Sequence, residues 1–179
     1  MDYSGERILI DSAREVRRTR YPVWAFFVVP LIALLIQVYL PLFETLRFIS
    51  NIELPLLVTI YFAVMRRSPI RGLFIGMALG LAQDSFYRYP IGMYGLCKTM
   101  VGYFAASIGI QFDVEHPLVR FFLCFVFYVF HQFMYWVLQR ALLDQPLLFD
   151  IRSELVLAAI NAVIGVAIFH FLDKLRRHD

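Results

Sequence analysis

Charge is scarce in this chain. Of 179 residues only 17% are Asp, Glu, Lys or Arg, whereas 60% are hydrophobic, and the mean hydropathy is +0.67. That apolar share exceeds what soluble domains carry. Too little polar surface remains to cover a water-soluble fold, which excludes a soluble enzyme and a nucleic-acid-binding module. Cysteine is nearly absent: Cys97 and Cys124 both fall in apolar runs and lack CxxC spacing. Neither a disulfide framework nor a zinc site is thereby supported, and both thiols read as small apolar packing groups. HExxH, GxSxG, a glycine-rich phosphate loop and a pair of membrane aspartates are missing, so the sequence indicates no enzyme class, cofactor or metal. Low-complexity linkers are missing too. The first twenty residues are too charged for a signal peptide, and no small-x-small site follows the first apolar run, which reads as an uncleaved anchor.

What is present is apolar length. Six stretches stand out: 21–43, 48–65, 70–86, 89–112, 117–143 and 155–172. Each is near the ~20 residues needed to cross a bilayer as a helix. Runs such as AFFVVPLIALLI and FFLCFVFYVF are continuously apolar, whereas barrel strands would alternate apolar and polar residues. The expected fold is all-α, a polytopic membrane protein with six transmembrane helices in one domain over residues 1–179. The second stretch carries Asn51, Glu53 and Pro55 at its start; these are placed in the interface, leaving a short span.

The basic residues orient the bundle. If the N-terminus is cytoplasmic, the inner set is Arg7, Arg14, Arg17, Arg18, Arg20, Arg66, Arg67, Arg71, Arg120, Lys174, Arg176 and Arg177. Only Arg47, Arg88, Arg140 and Arg152 then lie outside. Both termini are therefore expected in the cytoplasm. Residues 1–20 mix five arginines with Ile8, Leu9, Ile10, Ala13 and Val16, as either an amphipathic helix on anionic membrane lipids or a solvated basic tail would. Tyr21, Trp24, Tyr87, Tyr89, Tyr135 and Trp136 lie near proposed span ends, where such rings anchor at headgroups.

Residues 72–109 hold seven of the nine glycines. Gly72, Gly76 and Gly80 recur every four residues and so form one stripe along the third helix, where another backbone approaches closely. The fourth helix answers with Gly95, Gly102, Ala105, Ala106 and Gly109, so the two are expected to form an antiparallel hairpin. Asp84 and Lys98 lie on these stripes. A charge inside a span is costly and points to a partner group or a water-filled cavity. Their depths differ by roughly 9 Å at ~1.5 Å per residue, a gap that a snorkelling lysine closes. An internal ion pair, contact with a partner protein, and ligand or proton handling all fit. On the fifth helix Cys124, Tyr128, His131, Tyr135 and Gln139 form a second stripe with Gln132 beside it, suited to hydrogen bonding across a helix contact; no second histidine lies four residues from His131 to support a metal. Gln37 and Asn161 read as further interhelical hydrogen bonders.

A glycine-striped helix ending in an acid (Gly76, Gly80, Asp84), an outer turn with Pro90, Ile91 and Gly92, and a helix holding Gly95, Lys98, Thr99, Val101, Gly102 and Tyr103 together resemble the rod shape-determining protein MreD family. The turn SFYRYPIG is bulkier than the small-residue turn of many members. The resemblance implies a non-catalytic subunit of the bacterial elongation complex in the cell inner membrane, working with MreC, MreB and the RodA and penicillin-binding synthase pair in lateral peptidoglycan synthesis. It further implies a fold similar to the S subunits of energy-coupling-factor transporters, and the alternative function is accordingly a vitamin-binding S subunit. Such subunits carry AxxxA in the first helix, whereas here Ala25 and Ala33 are eight apart with Val29 between them. On the scaffold reading an MreC-like single-span partner lies against the hairpin formed by Gly72, Gly76, Gly80, Gly92, Gly95 and Gly102, with Asp84 and Lys98 setting the fit.

Overall fold

In apolar surroundings a backbone has to satisfy its N–H and C=O groups within itself, and the chain does so with helices. The computed structural model describes residues 22, 24–39, 51–87, 90–112, 114–143 and 150–175. Among these residues are six helices and no strand: α1 (Ala25–Tyr39), α2 (Leu54–Arg66), α3 (Pro69–Phe86), α4 (Met93–Gln111), α5 (Pro117–Leu143) and α6 (Ile151–Asp173). The N-terminal basic segment, Tyr21, Arg47, Arg88 and Tyr89 lie outside the described residues.

Helix α2 is the axis of the bundle. Every residue from Pro55 to Val64 is buried, and large apolar side chains are exposed on each of the other five helices but not on this one. With 13 residues it is ~20 Å long, short of the ~30 Å hydrocarbon thickness of a bilayer. Its first turn therefore ends inside the protein. Helices α5 and α6, with 27 and 23 residues, are long and apolar enough to cross a membrane, and α1 and α2 are shorter apolar helices. Helices α3 and α4 are less apolar because they hold most of the glycine together with Arg71, Asp84 and Lys98.

Contacts at the two ends of the bundle fix the helix directions. At one end the Arg66 guanidinium lies 3.9 Å from the Phe26 ring centroid, joining the end of α2 to the start of α1. At the same end Arg120 pairs with Asp173 at 2.7 Å, and the Tyr61 hydroxyl donates to Asp173 at 3.0 Å. The start of α5 thus meets the end of α6 beside the last turns of α2. At the opposite end the Leu54 N–H donates to Gln37 of α1 at 3.1 Å. The six helices alternate in direction through the bundle. Between α2 and α3 the chain reverses within two residues: Arg67 takes a left-handed conformation at φ 45 and donates its N–H to Val64 O, and Pro69 opens α3, where a missing N–H costs nothing. Asp150 caps α6, accepting from the Ser153 hydroxyl at 2.9 Å and the Arg152 N–H at 3.1 Å. Those hydrogen bonds hold its carboxyl below the usual range.

Candidate functional site

The α3–α4 hairpin is packed backbone against backbone. A Cβ placed on Gly72 would run into Gly102 O, one on Gly76 into Lys98 O, and one on Gly80 into Tyr94 O. The same added atom at Gly72 would also lie 2.8 Å from Ala106 Cβ, and at Gly80 2.6 Å from Gly95 Cα. From the other side, a Cβ on Gly102 would meet Gly72 O. The stripe is thus consumed within the chain, where the absence of side chains lets the two helix backbones approach closely. Gly109 extends this packing to α2, where a Cβ would stand 2.6 Å from Val64 O.

Asp84 closes the outer end of the hairpin. Its Oδ2 accepts from the N–H groups of Gly92 and Gly95, each at 2.9 Å, and its Oδ1 accepts from the Tyr94 N–H at 3.0 Å. The first N–H groups of a helix have no partner within it, and Gly92, the N-cap of α4, has no side chain to supply one. A carboxylate from α3 takes that place at the positive end of the α4 dipole. Gly92 sits at φ +108 with nothing within 4 Å of an added Cβ, so glycine is needed there for its backbone angle and not for space.

Lys98 does not pair with Asp84. Its Nζ lies 3.2 Å from Glu53 Oε2, 3.3 Å from His131 Nε2 and 4.7 Å from the Tyr94 ring centroid. His131 Nδ1 is 3.2 Å from Gln132 Oε1, and Gln132 Nε2 donates to the Tyr128 hydroxyl at 3.3 Å. An ammonium has donors only, so His131 Nε2 accepts from Lys98. Nδ1–H then donates to the Gln132 carbonyl, leaving the Gln132 amide to donate to Tyr128. Each contact in this chain is matched by a neutral imidazole with its proton on Nδ1. Tyr94 stacks on His131 at 5.9 Å and on Tyr135 at 4.6 Å. The Tyr128, His131 and Tyr135 stripe therefore faces Lys98, with Tyr135 joined to it through Tyr94.

Glu53 ties the network to the start of α2. Its N–H donates to Asn161 Oδ1 at 2.9 Å, while Asn161 Nδ2 donates to Leu157 O at 2.9 Å and Asn51 O at 3.0 Å. With Gln37 accepting from Leu54 and Pro55 lacking an N–H, side chains of α1 and α6 cap the start of α2. Gln37, Glu53, Lys98, His131 and Asn161 are all buried. Glu53, expected at the membrane interface, is 7% exposed. The signal for it was present in the sequence: an acid directly before Leu-Pro, at the start of a helix too short to span.

Among the described residues no three His, Cys, Asp or Glu side chains gather as metal ligands, and Cys97 and Cys124 are buried free thiols. Cys124 packs toward α6, where an added Cβ on Gly165 would lie 2.7 Å from its sulfur.

Compared with known families, residues 17–177 match a family model described as rod shape-determining protein MreD. No curated protein and no solved structure matches the chain.

Proposed function

The chain belongs to the rod shape-determining protein MreD family, and from that membership we propose that it is a non-catalytic membrane scaffold holding an MreC-like partner in the bacterial elongation complex. The family's role is rod shape determination, and two long apolar helices accord with a membrane protein. The reading goes further. All six helices serve as spans of one domain in the cytoplasmic membrane, with both termini inside, in a bundle similar to transporter S subunits. Through its partner the scaffold supports MreB and the RodA and penicillin-binding synthase pair in lateral peptidoglycan synthesis. The alternating helix directions and the arginine bias support this topology.

The observation that carries the scaffold role is the seating of Gly72, Gly76 and Gly80 on the α4 backbone. Together with Asp84, Gly92, Gly95, Lys98 and Gly102 these residues set the shape of the molecule from within, and the partner meets an outer face that this shape presents. Asp84 and Lys98, 1% and 0% exposed, act by fixing the fold and not by touching the partner. Affinity purification of the chain from membranes co-expressing the MreC-like protein tests the role. The partner should co-elute in fixed ratio with the folded chain. A monodisperse chain that captures no partner and instead retains a vitamin would replace the scaffold with the transporter subunit.

A further inference from the structure

An open cleft of about 450 Å³ runs between α1 and α3 over the side of α2, lined by apolar side chains that include Phe27, Leu31 and Ala78. A second pocket continues it at the Arg66 end and shares Phe26, Phe74 and Ile75 with it, adding Arg66 and Arg71. Among the described residues, no acidic side chain lines either one. Arg66 is held against Phe26 at 3.9 Å, so a guanidinium is fixed where the apolar cleft meets the polar boundary.

We propose that this cleft holds one anionic phospholipid of the leaflet on the arginine side, with an acyl chain lying between α1 and α3 and the phosphate beside Arg66 and Arg71. Its length favours this occupant. From Phe26 to Leu34 the cleft follows α1 for eight residues, or ~12 Å, close to the ~15 Å hydrocarbon depth of a single leaflet. A transmembrane helix spans about twice that depth, whereas an acyl chain of one leaflet matches it. Its charge agrees as well: basic pockets between membrane helices recruit anionic headgroups through guanidinium–phosphate pairing. A zwitterionic lipid would fill the apolar part equally but leave its own cation beside two arginines.

The inference rests on the membrane-spanning reading above, and native mass spectrometry of the detergent-purified full chain tests it separately. Phosphatidylglycerol or cardiolipin should remain bound where phosphatidylcholine is lost. Arg66→Gln and Arg71→Gln should each lower retention about fivefold, and Ala78→Trp, on the exposed wall of the cleft, should displace the lipid with the thermal transition of the lipid-free protein unchanged. Equal retention of anionic and zwitterionic lipids, or undiminished retention in the arginine variants, would overturn the proposal. So would a photo-crosslinker at Leu31 that captures the MreC-like protein or a second copy of the chain in place of lipid. Partner co-elution measured on the same arginine variants keeps the two readings apart, because lost lipid with intact partner capture leaves the scaffold role standing.

Discussion

At the scale of single residues, the pairing of Lys98 decides the most. Removing one member of a buried ion pair strands the other charge in a medium that cannot solvate it, a loss of ~3–5 kcal/mol in well-buried cases. Interhelical hydrogen bonds in membranes average only about 0.6 kcal/mol. Since Lys98 is 0% exposed and also meets His131, Glu53→Gln and Lys98→Met should each fall toward the upper figure. Their combination should recover part of the loss, as read from thermal unfolding in detergent. Asp84→Asn with Lys98→Met should instead give additive losses, because Asp84 serves the α4 N–H groups. A coupling energy in the second cycle as large as in the first would return Lys98 to Asp84. At Gly92, alanine would hold φ +108 only under strain, so Gly92→Ala should cost roughly 1–2 kcal/mol and lower the transition without altering the oligomeric profile. That Asp84 and Lys98 are buried was legible from their place on small-residue stripes. Their partners were not, because Glu53 lies 45 positions before Lys98 and only the burial of the α2 start brings the two together.

At the scale of elements, the hairpin and the central helix are fixed in different ways. Glycine spacing alone placed the stripe of α3, since residues four apart share a helix face, and the same period gathered Tyr128, His131 and Tyr135 on one side of α5. Gly76→Ile should drive α3 from α4, because its Cβ alone would meet Lys98 O. The expected cost is at least the ~1–3 kcal/mol of an overpacked core, with loss of monodisperse protein on size-exclusion chromatography. Phe74→Ala, on the exposed face of the same helix, should leave the profile unchanged. Equal behaviour of the two variants would mean that the stripe does not carry the hairpin. The start of α2 was harder to place from sequence. Asn51, Glu53 and Pro55 have the composition of an interfacial loop, and the caps that take the Glu53 and Leu54 N–H groups, Asn161 and Gln37, belong to other helices. Both were expected as interhelical hydrogen bonders; the group each would satisfy depended on tertiary placement.

At the scale of the whole molecule, alternating helices put Arg66, Arg71, Arg120 and Lys174 at one end and the Glu53–Lys98 network toward the other. Cysteine labelling in intact cells should therefore modify positions 87–90 and 144–150 from outside, and positions 66–71 and 173–179 only after permeabilisation. A labelled C-terminus in intact cells would break the six-span topology. The central claim is that the buried charges set the shape of the protein. It is tested most directly by cell width in a strain whose only copy of the chain carries Glu53→Gln and Lys98→Met together. If the network is structural, this double variant should restore rods in proportion to the folded protein it yields and should do better than either single variant. Round cells despite wild-type amounts of folded, partner-bound double variant would show that the charges themselves perform the function, and would contradict the account.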